Sequence, residues 1–130
     1  MASAMSVSAR TANRTTGAAW EEAALLHLQR SGLVLVSRNF TCRLGEIDLV
    51  LRDREHLVFV EVRFRGDLAR GGGTASVGSA KRTKLIRAAE VYLQANPRLA
   101  LLPCRFDVVG CSGTPQAPAF EWTRSAFDAF

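Results

Sequence analysis

Cysteine, histidine and long apolar runs are scarce in this 130-residue chain, and each scarcity removes a class of protein. Three cysteines, Cys42, Cys104 and Cys111, form no CxxC pair, which argues against a disulfide framework and a thiolate zinc site and fits a reduced, cytoplasmic setting. The two histidines, His27 and His56, lack metal-ligand spacing and support no Ser-His-Asp or Cys-His arrangement. No apolar stretch approaches the roughly 20 residues that span a bilayer, so no membrane partner is expected. Residues 1–16 contain no acid and few large apolar side chains, which predicts a flexible leader before one domain over residues 17–130. The Arg and Ser content of that start would also suit an organellar transit peptide.

What is present is an apolar and basic chain. Apolar residues make up 48%, enough for a core, and 17 Lys plus Arg against 12 Asp plus Glu leave a net charge of +5, which favours a polyanionic partner such as nucleic acid. Trp20, Ala24, Leu25 and Leu28 recur at helical spacing between Gly17 and Gly32. Three strands follow: Leu33 toward Phe40, Glu46 to Leu51, and Leu57 to Phe64. The second and third should pair antiparallel through a polar loop, Asp53 to His56. Gly66 to Gly78 reads as a mobile loop, in which Arg65 to Arg70 with Gly71-Gly72-Gly73 could close over a substrate strand, although a disordered connection is the better reading. Ser79 is positioned to cap a helix that runs to Ala95 and stops at Asn96-Pro97, and Cys104 to Val109 reads as a further strand. The aromatic tail, Phe120 to Phe130, should pack back onto the body. This order implies an α/β domain, a mixed sheet flanked by helices.

The chemistry concentrates in the second and third strands. Alternation places Ile47, Leu49 and Leu51 on one face and Glu46 and Asp48 on the other, and puts Glu61 and Arg63 together on the third strand. If Arg52 faces Leu57, paired residues place Asp48 opposite Glu61 and Glu46 opposite Arg63, whereas a slip of one residue breaks that alignment. Two facing carboxylates repel, so a positive group should lie between them. Mg²⁺ suits that place, because it takes oxygen ligands and often only one or two carboxylates. The alternative is a set of solvent-facing acids paired with Arg63 and other bases. Lys81, Arg82, Lys84 and Arg87 give the second helix a basic face that suits either phosphate contacts or plain solvation. Gly73 to Gly78 opens like a phosphate-binding loop, but Ser79 and Ala80 stand where lysine and Ser/Thr are required. The aromatics Trp20, Phe106, Trp122 and Phe127 are better read as core than as base-stacking platforms.

The blocks Gly17-x-x-x-Glu21, Arg38-Asn39, Gly45-Glu46-Ile47-Asp48-Leu49-Val50, Phe59-Val60-Glu61-Val62-Arg63, Lys81, Arg105-Phe106-Asp107 and Ala126-Phe127 resemble the YraN family of bacterial proteins. That family is similar to PD-(D/E)XK nucleases, particularly Holliday junction resolvases. The resemblance implies a restriction-endonuclease-like αβββαβ core and a metal-dependent hydrolysis of DNA phosphodiesters, in branched or repair-related DNA. It assigns Asp48 and Glu61 to a Mg²⁺ or Mn²⁺ ion, with Glu21 as a further acid of the metal site. Arg63 stands where the nuclease pattern has lysine; arginine can offset charge there but cannot act as a base, and Lys81 is the candidate to compensate, the alternative being a solvated lysine at the start of the helix. Arg65, Lys81, Arg82 and Lys84 become the nucleic-acid contacts. Junction cleavage would also require two sites, hence a homodimer. A non-catalytic nucleic-acid-binding protein on the same fold is the alternative, and an interaction protein with merely structural acids is a third.

Overall fold

The computed structural model describes residues 9–64 and 77–128, with side chains from residue 17 onward. Helix α1 (Ala9–Arg30) leads into strands β1 (Val34–Cys42), β2 (Gly45–Asp53) and β3 (His56–Phe64); helix α2 (Ser79–Ala95) and a 3₁₀ turn (Leu99–Leu101) then precede β4 (Cys104–Thr114) and β5 (Ala117–Phe127). The five strands lie in the order β1-β2-β3-β4-β5, antiparallel except for the parallel β3–β4 pair that α2 bridges. The fold is therefore the expected α/β arrangement, an αβββαβ core with one added strand.

Apolar runs rather than strict alternation dominate β2 and β3 because both sheet faces are covered. One face packs Val50, Leu57, Phe59, Phe106 and Val108 against Leu85, Ala88, Ala89 and Tyr92 of α2. The other packs Leu49, Leu51, Val58, Val60 and Val109 against Trp20, Ala24, Leu25 and Leu28 of α1.

Several boundaries differ from the sequence expectation. Helix α1 begins at Ala9 rather than Gly17; Ala9, Arg10, Ala12 and Arg14 are strong helix formers that extend the packed helix backward. The β2–β3 loop is a two-residue turn, with Asp53 paired to His56 and Arg54 at φ 57°, but the Arg52↔Leu57 register is the expected one. Ser79 is not a cap: Gly78 occupies that position without a side-chain bond, and Ser79 opens the helix. The helix ends where expected, at Asn96, whose side-chain amide donates to the Tyr92 carbonyl at 2.8 Å. The tail is a full strand, β5. Most of the Gly66 to Gly78 loop, and Arg65 before it, lies outside the described residues. Val77, at its end, is buried in the α2-side core.

Candidate active site

The regular β2–β3 ladder stops at Leu49↔Val60, one pair before Asp48 would face Glu61. Ile47 packs with the α2-side core and Leu49 with the α1-side core, so alternation slips by one at Asp48, contrary to the single face expected for Ile47, Leu49 and Leu51. The neighbouring strand bends there too: Asn39, between the Arg38↔Leu49 and Phe40↔Ile47 pairs, has φ 55°. The Asp48 carboxylate fills the break by accepting the Val62 N–H at 2.8 Å. That bond fixes one carboxylate against the strand that carries Glu61 and Arg63.

Around this break lies a cavity of about 210 Å³, lined by Glu21, Glu46, Asp48, Glu61, Arg63 and Lys81 together with Gly17, Trp20, Val62 and Phe64. The sequence-predicted acids and both candidate cations therefore meet in one place. Helix α1 delivers Glu21 one turn after Gly17, and Trp20 meets Phe64 edge-on at 5.5 Å to form the apolar wall. Helix α2 delivers Lys81, whose Nζ lies 3.3 Å from Glu61 Oε2. Glu22 turns outward to Arg38 at 3.0 Å.

Burial first, and then the closeness of the acids to one another, raises their proton affinities. Burial pushes Glu61 up to about 7, reinforced by the Asp48 charge and opposed by Lys81 and Arg63. Glu21 also rises to about 7, through burial first and then Asp48, with Arg38 opposing. Burial raises Asp48 as well, while the Val62 N–H and Lys81 favour its charged form. Carboxyls with raised proton affinity gathered in a cleft mark a candidate site for acid–base chemistry or cation binding.

Asp48 and Glu61 offer hard carboxylate oxygens, the donors that Mg²⁺ and Mn²⁺ take. Among the described residues no group of three or more His, Cys, Asp or Glu side chains stands in metal-holding geometry. The donor set fits an ion resting on one or two carboxylates, with water and substrate oxygens completing its shell, the usual manner of Mg²⁺.

A model of the uncharacterised protein family UPF0102 matches residues 20–111, from the α1 tryptophan through most of β4. The chain belongs to UPF0102. A UPF0102 protein of Xanthomonas campestris pv. campestris is 54% identical over 116 residues, 89% of this chain and 93% of that protein. One from Stutzerimonas stutzeri is 48% identical over 117 residues, 90% of this chain and 98% of the relative. The UPF0102 match takes in Glu21, Asp48, Glu61, Arg63 and Lys81.

Other candidates fall outside the cavity. Arg82, Lys84 and Arg87 are exposed along α2, with the Arg82 guanidinium 6.0 Å from the Phe127 ring centre. Trp20, Phe106 and Phe127 are buried in the core, as expected, and His27 stacks on Phe120 at 4.5 Å. No helix among the described residues is long and apolar enough to cross a membrane.

Sequence reasoning assigned no role to Asp107. It is buried and accepts from Arg105 Nε at 3.1 Å, Trp122 Nε1 at 2.9 Å and the Ser125 N–H at 3.0 Å, while Arg105 also reaches Asp53 at 2.9 Å. This network sits at the β4–β5 register shift and anchors the sheet rather than the cavity. An acid in an otherwise apolar strand, close to an arginine, was the available signal.

Proposed function

We propose that this chain is a Mg²⁺- or Mn²⁺-dependent nuclease that hydrolyses DNA phosphodiesters. The observation that carries the reading is the meeting of Asp48 and Glu61 with the Lys81 ammonium, 3.3 Å from Glu61, in one open cavity. Asp48 and Glu61 would hold the ion with Glu21 assisting, and the bound ion would supply Lewis acidity toward the scissile phosphate. The residues do the rest. The Val62 N–H holds Asp48 in place. Water adds to phosphorus as one bridging P–O bond breaks, the proton that the water loses is balanced by one gained on the departing sugar oxygen, and the Lys81 ammonium, with Arg63 on the same rim, offsets the growing negative charge. Arg82 and Lys84 extend positive charge from Lys81 along α2, where a phosphate backbone would lie. Action on branched DNA would further call for a homodimer with two such cavities.

The test is cleavage of labelled duplex and four-way-junction DNA with Mg²⁺ or Mn²⁺. Activity should vanish in both Asp48→Asn and Glu61→Gln while each variant stays folded. A second reading, a nucleic-acid-binding protein without catalysis, is favoured by Arg63 at the position of the nuclease lysine. Steeply salt-dependent DNA binding with no cleavage under either metal would replace the first reading with the second.

A further inference from the structure

Gly17 lies inside α1, four residues before Glu21, and both line the acid cavity. Glycine weakens a helix relative to alanine, because its unfolded backbone has more freedom to lose. The backbone does not require it here: among the described residues the glycines with positive φ are Gly32, Gly45 and Gly113. Packing among the described residues does not require it either. A Cβ built on Gly17 would meet nothing within 4 Å, whereas one on Gly45 would stand 2.9 Å from the Lys84 carbonyl oxygen. What the missing side chain leaves is room. Because the Gly17 main chain itself lines the cavity beside Trp20 and Glu21, a side chain at residue 17 would start from the cavity rim.

We infer that Gly17 is a substrate-positioning residue, the point where the sugar–phosphate backbone of a nucleic-acid strand runs against the α1 main chain. Contact at that point brings a phosphate down to Asp48, Glu61 and Lys81. Glycine serves wherever a ligand must approach the protein backbone closely, and the helix accepts reduced intrinsic stability in return. This inference rests on the nuclease reading and adds to it the side from which the strand enters.

The test uses the full chain, with fluorescence anisotropy of a labelled four-way junction in Ca²⁺ and thermal unfolding of each variant. Gly17→Ala should raise Tm by about 2–4 °C and weaken binding. Gly17→Leu should unfold near the wild-type temperature and bind about tenfold more weakly or worse. Ala18→Leu, at the exposed neighbouring position outside the cavity, should bind as wild type. Wild-type affinity in a folded Gly17→Leu overturns the role of Gly17 and leaves the nuclease reading standing. If Gly17→Leu does not fold, Gly17→Ala decides: a higher Tm with unchanged affinity overturns the role. A wild-type chain that binds no DNA overturns the nuclease reading, and the inference with it.

Discussion

Lys81 Nζ stands 3.3 Å from Glu61 Oε2, so the first turn of α2 brings an ammonium to an acid buried in the sheet. The nuclease pattern places its lysine on the strand itself, two residues past the acid, where this chain has Arg63. On the proposed nuclease reading, Lys81 would supply the ammonium from a different element. Lys81→Met should lower the cleavage rate about 10²–10³-fold, the loss that follows removal of one charge-stabilising donor. Its effect on Tm should be small, because the lysine side chain is 50% exposed and the buried Glu61, already pushed up to about 7, takes up a proton once the ammonium is gone. Introducing Arg63→Lys into the Lys81→Met background should restore part of the rate. Single-turnover cleavage measures both, and a Lys81→Met protein cleaving at the wild-type rate would assign the charge-stabilising role elsewhere.

Glu21 and Glu61, each pushed up to about 7 from an ordinary 4.5, make the metal-free protein sensitive to pH. Between those values the folded chain binds more protons than the unfolded chain. Their contribution to stability is therefore fully present below about 4.5 and is lost as pH rises through about 7. In EDTA, Tm should fall between about pH 5 and pH 8, and Asp48→Asn should shrink that fall by removing the neighbouring negative charge. Mg²⁺ should raise Tm more at pH 8 than at pH 5, because protons compete for the same carboxylates. An equal response to Mg²⁺ at both pH values would place the ion away from these acids.

The apolar period of α1 was legible in the sequence because the helix buries a continuous face, and Trp20, Ala24, Leu25 and Leu28 occupy the core. The acids Asp48 and Glu61 could be singled out because carboxylates interrupt apolar runs, whereas Glu21 was singled out only through the family resemblance. The slip at Asp48 was not legible, since alternation assumes an unbroken ladder and here Asn39, in a left-handed conformation, and the Asp48–Val62 bond break it. Strand β5 was missed as a strand for a related reason. It is an edge strand with Pro118, an irregular burial pattern and a left-handed Ser125, held in place by long-range bonds to Asp107 that no local pattern contains.

Asp107 should be a stability residue without a catalytic role. Its carboxylate accepts from three residues on β4 and β5, and it does not line the acid cavity. Asp107→Ala leaves Arg105, the Trp122 indole and the Ser125 amide short of an acceptor, and should cost about 3–5 kcal/mol. Trp122→Phe removes a single donor and should cost about 1–3 kcal/mol. Urea unfolding checks both magnitudes. Cleavage per folded molecule should be unchanged in Trp122→Phe, and a selective loss of activity there would draw this network into the site.

Gly45 couples the β1–β2 turn to the helix that carries Lys81. A Cβ at Gly45 would stand 2.9 Å from the Lys84 carbonyl oxygen, a main-chain atom that moves only if α2 moves. Lys84 lies one turn after Lys81, so a displacement there carries over to the Lys81–Glu61 contact. Gly45→Ala should therefore destabilise the fold by about 1–3 kcal/mol, the ordinary cost of overpacking. It should also lower the cleavage rate of the molecules that remain folded. The decisive comparison is with Ala89→Gly, which loosens α2 in its buried centre without pushing its first turn away from the sheet. At matched Tm, Gly45→Ala should cleave more slowly than Ala89→Gly. Equal rates would show that Gly45 contributes to packing alone and that the position of Lys81 does not depend on it.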